Sequence, residues 1–552
     1  MNPQPPVTRM RIAAVTSSGA EAAPAVSPTL GARLDDLVKR AGRVDWTPWA
    51  IVALGAFLRL LLLGIKPPHF DEGINGWFVD QMVKNGFYRY DPTNYHGPLH
   101  FYILFLAQTL LGRNLWAIRL PVVIASILSV HLTLKFEPFV GRNVARLAAL
   151  AMAVSPGFVF YGRYAIHEVW LLLFLMLFML GVLGMWRRGT VGYLWCTGMG
   201  LTGMILTKET YIIHLGCAAI AAVMTWISHK MIRMHDAQRV RQTWTFVDLL
   251  VVTGAGVGLI IFFYSGAFMN WSGVPGLFKT FQAWFQTGNK GNGHEKDAYA
   301  LVASHKWINY YWFALLARYE LPALIGLVLC GACLWFKHLA LRYLSIYSVG
   351  TLIAYTIIAY KTPWCIISFG WPFLFLFGGV LLLIPGLIPV SLTRAVYIGA
   401  GIALTISLAL CIRLNYVHFT DSKEPYVYVQ TYKDVWKLTR PVLRLAKSDP
   451  VYYQMVGHLI RGSTYPLPWM LGDFTRVGYY EGGNMPDKLD GDFLLVQEDK
   501  IATVEAKLHE SYFTEPLTIR EYQDPSKLYL NAKTFGKLFP GRVPEFVGKP
   551  AP

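Results

Sequence analysis

Two adjacent carboxylates, Asp71 and Glu72, stand in the run His69-Phe70-Asp71-Glu72-Gly73, directly after the first long apolar stretch of the chain. Acids at such a place have two readings. They are solvated anchors at the end of a membrane helix, or one of them is a base at the membrane surface that removes the proton of an attacking substrate hydroxyl. Asp71 is the candidate base and Glu72 the neighbour that orients it. Three cations recur at corners of the same kind: Lys208 in Leu206-Thr207-Lys208-Glu209, Lys361 in Tyr360-Lys361-Thr362-Pro363-Trp364, and Arg163 in Tyr161-Gly162-Arg163-Tyr164. Taken singly, each is explained by snorkelling or by pairing with a local acid such as Glu209. Taken together around an apolar groove, they suit a phosphate whose attached tail lies in the bilayer.

The remaining candidates are His167 and Glu168, His96 with His100, and His294 with Glu295. Glu168 starts an apolar segment, where an acid complements the helix N-terminus; as a site residue it would bind sugar hydroxyls or a metal. His96 and His100 share a helix face only if that helix begins before Pro98, so a zinc pair is disfavoured. His294 and Glu295 follow a Gly- and Asn-rich loop that either closes over a substrate or has no role in binding. A divalent metal is the one cofactor left open.

These side chains need a scaffold, and composition dictates its kind. Of 552 residues, 54% are hydrophobic and only 15% charged, against roughly a quarter charged in soluble domains; mean hydropathy is +0.38. Apolar runs at 51–63, 171–185, 246–264, 322–335 and 373–388, with their flanks, suit a hydrocarbon core about 30 Å thick, because a helix satisfies its own backbone. The formal charge of +17 is not a nucleic-acid face: from Asn415 onward 17 basic residues meet 17 acidic ones, so the excess lies in the membrane part and its short loops. The six cysteines sit in or beside apolar segments, which implies neither a disulfide framework nor a cysteine zinc site. Gly254, Gly256 and Gly258 resemble a dinucleotide loop in letters only, since no strand precedes them. No Walker A loop or zinc-protease pair is present.

Basic clusters at Lys39/Arg40/Arg43, Lys135/Arg142/Arg146, Arg187/Arg188, Lys230/Arg233/Arg239/Arg241, Lys337/Arg342 and Arg394 mark cytoplasmic loops. The alternation gives about eleven crossings, within a range of about nine to thirteen, with the N-terminus inside and the C-terminus outside. It holds only if 99–111 dips into the membrane without crossing, or if one cluster is misassigned. The chain divides into a disordered cytoplasmic arm over 1–45, a membrane module over 46–414, and an extracytoplasmic mixed α/β domain over 415–552. In that domain 493–497 is the plainest strand. Ile74, Trp77, Phe78 and Met82 share one face of a segment expected to lie in the interface plane. Nearly every ionisable side chain not serving as a cytoplasmic anchor falls on the outer side.

The order of motifs resembles the GT-C superfamily, and within it the protein O-mannosyltransferases, the lipid A aminoarabinose transferases and a branch of prokaryotic sugar transferases. The motifs are Asp71-Glu72 after the first helix, Gly97-Pro98-Leu99, Arg119-Leu120-Pro121, Ser155-Pro156 with Arg163-Tyr164, Leu206-Thr207-Lys208-Glu209, and Lys361 two residues before Pro363. The resemblance covers roughly 46–390. It implies a GT-C-like polytopic α-helical membrane fold, a polyprenyl-phosphate sugar donor, inverting transfer to a glycan, lipid or protein acceptor, Asp71 as base, and Lys208, Lys361 and Arg163 around the donor phosphate. Where relatives often carry Asp in the second outer turn, this chain has Glu168 after His167. The expected setting is a prokaryotic plasma membrane. A transporter or flippase of lipid-linked sugars is the alternative; it would place its binding groups near the midplane and often show two related halves, whereas here the polar residues crowd one face. A structural subunit that borrows the fold is the third reading.

Overall fold

Burial separates the helices that face lipid from those that form the interior. In the computed structural model, which describes residues 45–231, 242–290, 311–335, 338–358, 360–383, 388–481, 484–521 and 523–549, six helical stretches are long and apolar enough to cross a membrane: Leu115–Val140, His167–Arg187, Tyr211–Met231, Phe246–Tyr264, Pro363–Leu381 and Val390–Val417. The span Pro363–Leu381 is wholly enclosed by other helices, whereas Phe246–Tyr264 is only 11% buried and turns Phe246, Val247, Leu250 and Val251 outward. An apolar helix with an apolar outer face is stable only in lipid. Among the described residues, three shorter apolar helices, Thr47–Leu60, Leu99–Leu111 and Val191–Thr207, stand beside these six.

The helices that matter for the site are α1 (Thr47–Leu60), α2 (Phe70–Asn85), α3 (Leu99–Leu111), α4 (Leu115–Leu134), α5 (Arg142–Val154), α6 (His167–Arg187), α7 (Val191–Thr207), α8 (Tyr211–Met231), α9 (Phe246–Tyr264), α10 (Gly273–Lys290), α11 (Leu339–Ile357), α12 (Ile366–Leu383), α13 (Val390–Ile412) and α14 (Val435–Ser448). With 13 residues, α3 is roughly 20 Å long at 1.5 Å per residue, short of the hydrocarbon thickness. That length suits a segment that dips. It begins at Leu99 with Pro98 as its cap, as the missing proline N–H requires, so His96 falls outside the helix that carries His100.

The tail builds a six-stranded sheet in the order β2-β1-β3-β5-β4-β6, from Gly457–Ile460, Val477–Tyr479, Phe493–Gln497, Ser511–Leu517, Ser526–Asn531 and Phe546–Val547 as β1 to β6. β1 is parallel to β2 and β3, and the other pairs are antiparallel. The central strand β3 is the segment singled out in the sequence, and four of its five residues are buried. α14 buries Val435, Leu438, Val442 and Leu445, spaced as one helical face.

α2 does not lie free in the interface. Phe78 packs on the rings of Phe101 and Tyr88, and the tail covers another face of the helix. The contact is so close that a Cβ on Gly73 would sit 2.5 Å from the Pro466 backbone. Contacts join Pro48–Pro552 into one compact unit. Gly73→Ala is therefore expected to cost about 1–3 kcal/mol by overpacking and to lift the tail from α2. Limited proteolysis should show faster cleavage around 464–470 in the variant, and an unchanged pattern would refute the contact.

Candidate functional site

At the end of the membrane module that carries the tail, a cavity of about 320 Å³ opens between the start of α2, the segment 93–96, the start of α6, the end of α7, and the segments after α11 and α13. Its polar lining includes Asp71, His96, His167, Glu168, Lys208, Glu209 and Arg520, set among aromatic and apolar walls such as Phe70, Trp284, Trp364 and Tyr428.

Asp71 is placed by the cap of its helix. His69 is the N-cap of α2, with Glu72 completing a capping box that satisfies two end donors of the helix. The His69 ring accepts from the Asp71 backbone N–H at Nδ1 (3.1 Å) and lies 2.8 Å from the Tyr428 carbonyl at Nε2. A carbonyl only accepts, so Nε2 carries the proton and Nδ1 is bare. Burial lowers this ring's pKa, against the pull of Asp71, and the neutral tautomer fits both bonds. The Asp71 carboxylate, 3.7 Å from that bare nitrogen and 31% exposed, thus gains no cation from His69.

Glu72 has the opposite environment. Both its oxygens are taken: Oε1 by Arg119 Nε (2.8 Å) and the Ala165 N–H (3.0 Å), Oε2 by Arg119 Nη2 (2.7 Å) and the His69 N–H (2.8 Å). Both partners are fully buried. Burial alone would raise this carboxyl, but Arg119 and the donated bonds outweigh it and hold it below the usual carboxylate range. Arg119 also donates to the carbonyls of Leu63, Lys66 and Pro67. It ties the end of the first membrane segment to the start of α2. Glu72 orients; it has no lone pair left for a substrate.

The other acids of the lining are engaged. Glu168, in the first turn of α6, accepts from Lys208 Nζ. Glu209 meets His96 Nδ1 at 3.0 Å. His96 is held there because Gly97 lies flat against the end of α7, its N–H donating to the Thr207 carbonyl; a Cβ at Gly97 would be 2.3 Å from the Leu206 oxygen. His167 sits between His96 and His100, with ring centroids 4.5 and 4.4 Å away, and its buried Nε2 has no partner among the described residues. His100 turns inward to the Ala165 carbonyl and Trp170, so His96 and His100 form no metal pair. Among the described residues, the group of three donors close enough to share an ion is His418, Asp421 and Glu424. None of these lines the cavity, and Glu424 is paired with Arg318 and Arg413.

Of the three cations singled out in the sequence, Lys208 alone reaches the cavity. Lys361 Nζ donates to the carbonyls of Tyr355, Thr356 and Ile358 (3.2, 2.8 and 2.6 Å), which closes the C-terminal end of α11. Arg163 donates to the carbonyls of Leu58 and Leu62 at the end of α1 and stacks on Tyr416. Both side chains were drawn away from the site by unsatisfied helix-end carbonyls, a demand that sequence position does not reveal. His294 and Glu295 lie outside the described residues, as does most of the arm over 1–45.

Arg520, after β4 in the tail, was not legible in the sequence. Its guanidinium stacks on Phe70 at 3.9 Å and donates to Ser463 Oγ at 3.2 Å, and its buried Nη1 has no partner among the described residues. Burial pushes it down to about 10, with Asp71 pulling the other way. A desolvated arginine with an unused donor is poised for an anion. Two lining residues, Tyr95 and Val429, have positive φ (45° and 55°). For a β-branched residue such as Val429 this is a strained backbone, which in general persists where the surroundings over-determine it, commonly at functional sites. A wider surface groove of about 940 Å³ along α2 is crossed by the ion pairs of Arg113 with Asp80 (2.7 Å) and Asp473 (2.8 Å) and contains none of the residues above.

Comparison with known proteins follows the same architecture. The family model for dolichyl-phosphate-mannose-protein mannosyltransferase matches residues 95–255. No curated protein matches the chain. The crystal structure of ArnT from Cupriavidus metallidurans bound to undecaprenyl phosphate superposes with a TM-score of 0.57 at 16% identity, covering 88% of this chain and 98% of that one. The same protein in the apo state gives 0.49 at 14% identity, with 91% and 99% covered. The oligosaccharyltransferase of Archaeoglobus fulgidus gives 0.41 at 12% identity, with 88% and 73% covered. The chain therefore shares the fold of the Cupriavidus metallidurans ArnT structure.

Proposed function

We propose that the chain is an inverting glycosyltransferase that moves a sugar from a polyprenyl phosphate to an acceptor hydroxyl, on the membrane face that carries the tail. The observation that carries this reading is the division of labour among the three cavity acids. Glu168 and Glu209 are engaged by Lys208 and His96, while Asp71 faces the cavity with no cation at ion-pair distance among the described residues. A base must be able to take up a proton, and Asp71 is the acid so placed. Lys208 and Arg520 supply positive charge in the same cavity, where a departing phosphate needs it.

In the reaction, the acceptor O–H gives its proton to Asp71 as its oxygen attacks the anomeric carbon. The bond from that carbon to the phosphate oxygen breaks, and the electron pair leaves with the polyprenyl phosphate. Attack from the face opposite the leaving group inverts the carbon. The ArnT structure bound to undecaprenyl phosphate supports a donor of this lipid class. The site residues proposed are Asp71 as base, Lys208 and Arg520 toward the phosphate, and His96, His167 and Glu168 toward the sugar.

The test is to incubate the purified chain with a panel of polyprenyl-phosphate sugars and follow release of the free polyprenyl phosphate. Release from at least one donor is expected, with Arg520→Gln raising the donor KM by about tenfold, the loss of one charge-assisted bond. No release from any donor, together with movement of intact lipid-linked sugar across proteoliposomes, would replace the transferase reading with a flippase.

A further inference from the structure

A second concave surface lies where the tail meets the outer ends of the first and last membrane segments. Its volume is about 740 Å³. On one side stand Ile65, five residues beyond the end of α1, and Tyr416 and Val417, which close the span Val390–Val417; Val417 is 63% exposed. On the other side Lys433, Lys437 and Arg440 project from the tail beside Trp436. Among the described residues, no carboxylate lines this surface.

The cations belong to a wider pattern. α14 reads VWKLTRPVLRLAKS, with four basic residues and no acid, in a tail whose charges balance only when these four are counted. Lys437, Arg440, Arg444 and Lys447 are three or four residues apart, so they share the face opposite the buried Val435, Leu438, Val442 and Leu445. Lys433 lies 4.7 Å from the Phe419 ring and Arg440 5.1 Å from the Trp436 ring. A cation over a ring keeps its N–H donors at the edge for another partner. Lys437 shares an ion pair with Asp434 at 3.1 Å, half-exposed and so worth little.

We propose that this groove binds the headgroup of an anionic phospholipid. The phosphate would sit among Lys433, Lys437 and Arg440, and the acyl chains would run down between the ends of the first and last membrane segments. A basic face beside aromatic and apolar groups at headgroup depth is the arrangement that recruits anionic lipid. A soluble phosphate has no use for the apolar half of the groove. None of its residues lines the cavity of Asp71, so the inference stands apart from the transferase reading.

Native mass spectrometry of the full chain in mild detergent, with phosphatidylglycerol or phosphatidylcholine added, tests it. Phosphatidylglycerol is expected to be retained preferentially. Combining Lys433→Gln, Lys437→Gln and Arg440→Gln should weaken its retention by about tenfold or more, whereas Arg444→Gln with Lys447→Gln, beyond the groove on the same helix, should change it less than about twofold. Arg440→Gln alone, an exposed substitution that leaves the core untouched, should give an intermediate loss. Equal retention of the two lipids, equal losses in the two combined variants, or complete displacement by glycerol 3-phosphate would each overturn the proposal.

Discussion

Asp71→Asn is expected to lower the rate of polyprenyl phosphate release by about 10²–10⁴-fold, the span of a lost general base, while donor binding changes little. Asn keeps the shape of the side chain, and the backbone N–H that meets His69 Nδ1 is untouched, so the start of α2 should stay in place. The fold-change therefore reports proton transfer and not collapse of the site. Neither of the other lining acids can substitute, because Lys208 and His96 hold them. Steady-state rates at saturating donor, with a melting curve beside them, make the measurement. Turnover within about twofold of the parent would remove Asp71 from the mechanism, because a true base contributes far more than that.

The second large effect falls on stability. Glu72→Ala should cost about 3–5 kcal/mol, because breaking a buried pair leaves its partner's charge uncompensated; Arg119 would face only the carbonyls of Leu63, Lys66 and Pro67. Activity should fall with it, since the same carboxylate fixes the first turn of α2 through the His69 N–H. Replacing Glu72 with Gln and Arg119 with Met together should recover part of the loss by removing both charges. The pH dependence follows from the sign of the shift. A carboxyl held below its ordinary value stabilises the fold fully above about pH 4, and that contribution drains away as pH falls through the lower, folded value. Thermal melts in detergent across the acid range should show this slope in the parent and lack it in the double variant. A single Glu72→Ala variant as stable as the parent would refute the role.

What was legible in the sequence follows the range of the forces involved. Apolar runs long enough for lipid announce themselves, as Phe246–Tyr264 and His167–Arg187 do, because membrane burial acts along one contiguous segment. Asp71 and Lys208 were legible for a similar reason: each stands at the polar end of such a segment and lines the cavity found there. Lys361 and Arg163 stand at equivalent positions yet turn to backbone carbonyls. Type and depth are thus not direction, which is settled by whichever unsatisfied acceptor lies nearest. Arg119 appeared only as a letter in a motif; its bond to Glu72 spans 47 residues. Arg520 in Ile519-Arg520-Glu521 carries no local pattern at all, since its place in the cavity wall comes from the tail packing over α2.

That packing has a consequence for biosynthesis. Tyr428, Val429 and Arg520 form part of the cavity wall, and the chain emits them only after α13 has been made. The membrane helices alone leave the site without that wall. On the transferase reading proposed above, sugar transfer by a nascent chain would wait until the tail has folded over α2, so that folding of the tail would itself switch activity on.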